Sequence, residues 1–119
     1  MTIAYIKPVL NPSRTLERSQ IWDLQYIDKE NKIFTLRAVR PSSTIFAPTF
    51  SPNTGVVGSP FQSTGLQARE TDTPGIYQIL YAESGADIAF QSGPNEGDQV
   101  LLEELKASLL NQKWKFLTQ

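Results

Sequence analysis

Residues 92–112 read SGPNEGDQVLLEELKASLLNQ, and the secondary structure assigned to them decides the fold class. Leu101, Leu102, Leu105 and Leu109 recur at helical spacing, with Val100, Ala107 and Leu110 beside them. Asn95 or Asp98 stands where a cap belongs, and Glu96 and Asp98 complement the positive end of a helix dipole. The stretch therefore predicts an amphipathic α-helix whose leucine stripe is core. Residues 113–116, KWKF, alternate charged and apolar groups, which suits either a closing strand or the end of that helix.

Upstream the dominant period is two. Residues 21–39, IWDLQYIDKENKIFTLRAV, place Trp22, Leu24 and Tyr26 on one strand face and Phe34, Leu36 and Ala38 on one face of the next. Asp23 and Gln25 oppose the first set, Thr35 and Arg37 the second. The connection DKEN predicts a turn in which Asp28 bonds back to the backbone and Asn31 adopts the left-handed conformation. Residues 75–91, GIYQILYAESGADIAFQ, predict a second hairpin turning at Ser84-Gly85, with apolar groups on both faces of its first strand. A short N-terminal strand, TIAYIKPVL, is confined to an edge or ended by Pro8. The polar run NPSRTLERSQ reads as a turn. Together these elements predict an α+β fold: one domain over 1–119, an antiparallel β-sheet of about four to six strands with two hairpins, and the C-terminal α-helix packed on a face.

Composition narrows the chemistry. The chain holds no Cys and no His, so it offers no disulfide framework, no thiolate nucleophile and no imidazole base near neutral pH. No metal site and no cofactor are expected. Adjacent Glu103 and Glu104 diverge on a helix, and Glu83 and Asp87 meet at most across a turn, so no acid pair points to catalysis and the expectation is a non-enzyme. Eleven basic residues against twelve acidic ones give a net charge of −1, which makes nucleic acid an unlikely partner. Residues 1–40 carry seven Lys/Arg against four Asp/Glu, and residues 69–119 four against eight, leaving a neutral middle. No apolar run is long enough to span a membrane and no secretory leader is evident, so no membrane insertion and a cytoplasmic location are expected.

That neutral middle, residues 41–68, contains no charged side chain but carries Ile45, Phe46, Phe50, Val56, Val57 and Phe61 among its prolines. It reads as irregular folded structure, as a docking arm on a stiff extended backbone, or as a linker. Its aromatic content disfavours the linker. One helix covers only part of such a sheet, so the crossover or another protein is needed as a lid. The expected function is protein binding: an accessory or assembly subunit that docks a partner, or a second copy of itself, through Phe46, Phe50, Val56, Val57 and Phe61. Arg40 and Arg69 lead the flanking charges, with Arg37, Glu70 and Asp72, that set register. The alternative is a small-ligand module with a pocket between sheet and helix.

Overall fold

The computed structural model describes residues 2–10, 15–16, 20–38, 43–49, 51–84, 88–93 and 99–118. Eleven strands run β1 Thr2–Pro8, β2 Ile21–Asp28, β3 Ile33–Ala38, β4 Thr44–Phe46, β5 Thr54–Gly55, β6 Val57–Ser59, β7 Leu66–Glu70, β8 Ile76–Tyr81, β9 Ile88–Gln91, β10 Leu101–Glu104 and β11 Trp114–Thr118. Two single 3₁₀ turns, Ala82–Ser84 and Leu110–Gln112, are the only helical elements among the described residues.

The α+β expectation is thus overturned: the chain is nearly all β. The segment expected to be helical is strand β10, paired with β9 and β5, followed by a turn. A period of two lay inside it. Val100 and Leu102 are buried while Leu101 and Glu103, between and after them, are only partly covered. Helix propensity is a weak local preference, and cross-strand partners on both sides outweigh it here. The cap residues Asn95, Glu96 and Asp98 lie outside the described residues.

The sheet closes on itself. Pairing runs β1–β2–β3–β7–β8–β11 and back to β1, every step antiparallel, so six strands form a barrel without edges. Of the segment that begins at Lys113, Trp114–Thr118 is the closing strand, and β1 is not an edge, although Pro8 does end it.

Three similar units build this barrel. The pairs β1–β2, β3–β7 and β8–β11 each combine an outgoing and a returning strand, in equivalent register at Ala4↔Trp22, Phe34↔Leu66 and Tyr77↔Trp114. Their inward side chains stack in layers. Ile6, Leu36 and Ile79 are fully buried two residues further along the outgoing strands, and Leu24, Ala68 and Phe116 hold the matching places on the returning ones. In the first unit a small residue, Ala4, stands beside a large one, Trp22, whereas the other two units pair large with large, and together they fill the interior of the barrel.

Within the second and third units the chain leaves the barrel as a hairpin. The N–H of Ala38 donates to the Ser43 carbonyl (2.7 Å), turning β3 into β4, which pairs with β6. Leu80↔Ala89 begins the third unit's hairpin, β9–β10. Between β1 and β2 of the first unit, Leu16 is described and is fully buried. Ile45, Ala47, Val56, Phe90 and Leu102 close the core from these hairpins. The neutral crossover is therefore the second unit's hairpin, folded into the body. Buried Thr64 ties it down, its Oγ1 accepting from the Ala47 N–H at 2.8 Å.

The β2–β3 hairpin forms as its alternation requires, with a register shift between Tyr26 and Asp28. Asp28 does bond back, its Oδ1 accepting from the Asn31 N–H (3.1 Å) and its Oδ2 from the Asn31 side-chain amide (2.7 Å). The left-handed residue is Lys32 (φ 57°), one position beyond Asn31. These bonds to Asn31, the side-chain one foremost, hold the Asp28 carboxyl below its ordinary value of 3.8. A lowered folded pKa gives stabilisation that is complete above that ordinary value and is lost as pH falls through the folded one. Asn31→Ala is expected to return the Asp28 titration, followed by NMR, towards 3.8. An unchanged titration in the variant would assign the effect elsewhere.

Candidate functional site

In the middle of β2 and β3 the side chains on the outer side of the barrel, Asp23, Gln25, Thr35 and Arg37, are polar, with Ile21, Ile27 and Ile33 at the strand ends, and part of this surface forms one wall of a cleft. Gln25 stands opposite Thr35, and Asp23 opposite Arg37; Arg37 in turn faces Thr44 on β4. With Pro60 and Ser63 from the loop after β6, the residues Gln25, Thr35, Arg37 and Thr44 enclose about 360 Å³. That volume lies at the small end of the range for ligand sites.

The loop on the far side is fixed by its own backbone. The Ser59 hydroxyl accepts the N–H groups of Phe61 (3.3 Å) and Gln62 (3.1 Å), a serine turn that Pro60 stiffens. Phe61 consequently projects into solvent and is 94% exposed, the most exposed large apolar side chain described.

Behind the cleft wall, Asp23 is 7% exposed although it lies on the outer side of the barrel. Its Oδ2 accepts from the Gln25 side-chain amide at 3.0 Å, while Oδ1 has no hydrogen-bond partner. An orphaned buried carboxylate oxygen is uncommon and costs stability, which marks this wall as more than filler.

A second cleft of about 300 Å³ lies beside β10, lined among others by Gln91, Glu103, Glu104 and Gln112. Three of its polar side chains, Gln91, Glu103 and Gln112, are engaged in holding the fold. Glu103 Oε1 accepts from the N–H of Asn53, a left-handed residue (φ 65°) that joins the second hairpin to the third. Gln112 is fully buried and makes three side-chain hydrogen bonds. On β8, burial first and Glu83 second push the Tyr81 phenol up. Among the described residues no group of three His, Cys, Asp or Glu is placed to hold a metal ion.

The residues singled out from sequence divide. Phe46 and Val57 are direct cross-strand partners, both half-buried. Val56 is 1% exposed and belongs to the core, so it is removed from any docking surface. Phe61 is fully available. Arg69 is exposed on β7, opposite Gln78. Phe50 and Arg40 lie outside the described residues. The cleft residues Gln25, Thr35, Thr44, Pro60 and Ser63 were not anticipated as a site. Their signal was the polar alternation on the outer side of β2 and β3, which sequence alone assigns to solvent.

A closed six-stranded barrel with three like units defines a β-trefoil, and comparison with solved structures agrees. ThreeFoil, a designed 3-fold symmetric protein, aligns with a TM-score of 0.69 at 16% identity, over 82% of this chain and 71% of its own. The BEL beta-trefoil in an apo crystal form aligns with a TM-score of 0.64 at 15% identity, over 99% of this chain and 92% of its own. At these identities the likeness is one of fold alone. No family model matches the sequence, and no curated protein matches it.

Proposed function

We propose that the chain is a non-enzymatic binding module that docks another protein through the Phe61 turn and the cleft beside it. One observation carries this reading: a phenylalanine held almost wholly in water by a turn that fixes it there. Burying such a side chain against a partner gains about 1.5–3 kcal/mol, and little entropy is lost because the loop is already ordered. The trefoil barrel supports the reading as a rigid mount, since its core is complete without the loop. The chain brings neither His nor Cys to the cleft, which favours binding over catalysis. No helix among the described residues is long and apolar enough to cross a membrane.

Phe61→Ser tests it. The variant is expected to keep the wild-type unfolding midpoint, as exposed positions shift stability by at most about 0.5 kcal/mol, yet to lose stoichiometric co-purification of the partner. Equal recovery by both proteins would sink the proposal. The volume of the cleft favours a second reading, a small polar ligand. With no α-helix among the described residues to form the pocket expected from sequence, the outer wall of β2 and β3 takes that place.

A further inference from the structure

We infer that the outer side of β1 and β11 is a second docking surface, and that the partner it fits is an acidic protein segment with apolar side chains next to its carboxylates. This surface is built on other residues than the Phe61 turn and does not rest on that reading.

Alternation builds it. Ala4, Ile6, Trp114 and Phe116 fill the barrel, so Tyr5, Lys7, Lys115 and Leu117 stand on its outer side. Register then sorts them into rows. Leu117, Tyr5 and Ile21 lie side by side across β11, β1 and β2. In the next row Lys7 is directly opposite Lys115. Beyond them Lys113, extended at φ −107° and ψ 137°, takes the same side of the chain as Lys115.

Two features of these rows are unfavourable to the chain alone. Like charges directly opposed across an antiparallel pair repel one another and destabilise it. The repulsion is uncompensated, because among the described residues no carboxylate forms an ion pair with Lys7, Lys113 or Lys115. Asp23, the acid on the outer side of β2, is beyond the apolar row, beside Ile3, and is buried. The apolar row is also incompletely covered: Leu117 is 50% exposed and Ile21 41%.

Charge names the partner. Three ammonium groups gathered on a chain of net charge −1 make a local positive field that the overall balance hides. A carboxylate laid between Lys7 and Lys115 replaces their repulsion with two attractions, and an apolar side chain beside it covers Leu117 and Ile21. Nucleic acid would use only half of this surface. Its phosphates match the lysines, but a charged backbone gains nothing from the apolar row, and three cations are few for binding driven by phosphate contacts.

The test is an NMR titration of the ¹⁵N-labelled full chain with the blocked peptide acetyl-Asp-Glu-Ser-Leu-Ser-Phe-amide. The expected result is saturable shifts at the amides of Tyr5, Lys7, Lys115 and Leu117 in the low millimolar range. Two control peptides, one with Asn-Gln for Asp-Glu and one with Ser for Leu and Phe, should each bind about tenfold more weakly. Lys7→Gln and Lys115→Gln should each weaken binding of the first peptide about fivefold, and Leu117→Ser about tenfold. Lys115→Gln should keep the wild-type unfolding midpoint, so that its loss of binding is not a loss of fold. No saturable shift at these amides, equal binding of either control peptide, or tighter binding of a hexathymidylate overturns the inference. Phe61→Ser should leave the shifts unchanged; if it abolishes them, the peptide belongs to the Phe61 turn and this surface is not its site. A chain that keeps its protein partner on Phe61→Ser and still binds the peptide loses the earlier reading and retains this one.

Discussion

Trp114→Ala is expected to remove about 4–5 kcal/mol of stability, read as a fall in the urea midpoint with little change in slope. The side chain is fully buried at the start of the strand that closes the barrel. Truncation opens a cavity between Tyr77, which it faces in register, and the layer holding Phe116. Rigid strand pairing on both sides of β11 prevents the barrel from collapsing into the space, so the cavity persists. The indole N–H also donates to the Phe90 carbonyl at 3.2 Å, tying the barrel to the third hairpin. Trp114→Phe separates the two contributions: it keeps much of the volume and forfeits the bond, for about 1–2 kcal/mol. With typical domain stabilities of about 5–15 kcal/mol, the alanine variant sits close to unfolding at ambient temperature. A loss below about 1.5 kcal/mol would show that β11 does not close the barrel as described.

Trp114 also shows how much of the fold could be read from the chain. Individual strands were legible wherever a period of two was uninterrupted, as in β2 and β3, whose facing residues match the alternation position by position. Closure was not legible. It depends on pairings such as β1 with β11, more than a hundred residues apart, which leave no local trace. One internal signal did exist: Gln20-Ile21-Trp22 and Gln112-Lys113-Trp114 place Gln and Trp two residues apart at equivalent points of the first and third units. The second unit breaks it with Thr64-Gly65-Leu66, so two copies without a third look like chance. Leucine spacing in residues 101–109 then imitates a helix, and no local rule contradicts it until β9 and β5 supply partners. Of the candidate site, Phe61 was visible as an aromatic in a charge-free stretch. The cleft was not, because its walls come from three strands and a loop brought together only by the barrel.

Gln112→Ala is expected to cost about 2–3 kcal/mol, a large effect for a residue that contributes almost no apolar surface. Its Oε1 accepts the Lys106 N–H (2.8 Å), and its Nε2 donates to the Glu104 carbonyl (2.8 Å) and to Gln91 Oε1 (3.0 Å). One amide thereby satisfies two backbone groups at the end of β10, across the turn that carries the chain towards β11. Deleting it strands a donor and an acceptor that the turn cannot pair within itself, and each such orphan costs about 1–3 kcal/mol when dry. The neighbouring cleft of about 300 Å³ admits water, which holds the total below the simple sum. Gln112→Glu is the sharper variant. An ionised carboxylate still accepts from Lys106 but turns an acceptor towards the Glu104 carbonyl and Gln91 Oε1, so this protein should be least stable at neutral pH and recover as the pH falls and the glutamate protonates. Burial among acceptors raises the pKa of the introduced glutamate in the folded state, which places the recovery above its unfolded value. Urea unfolding at several pH values checks this, with hydrogen exchange at the Lys106 amide as the local readout. If Gln112→Glu matched wild type at neutral pH, the three-bond account of Gln112 would be wrong.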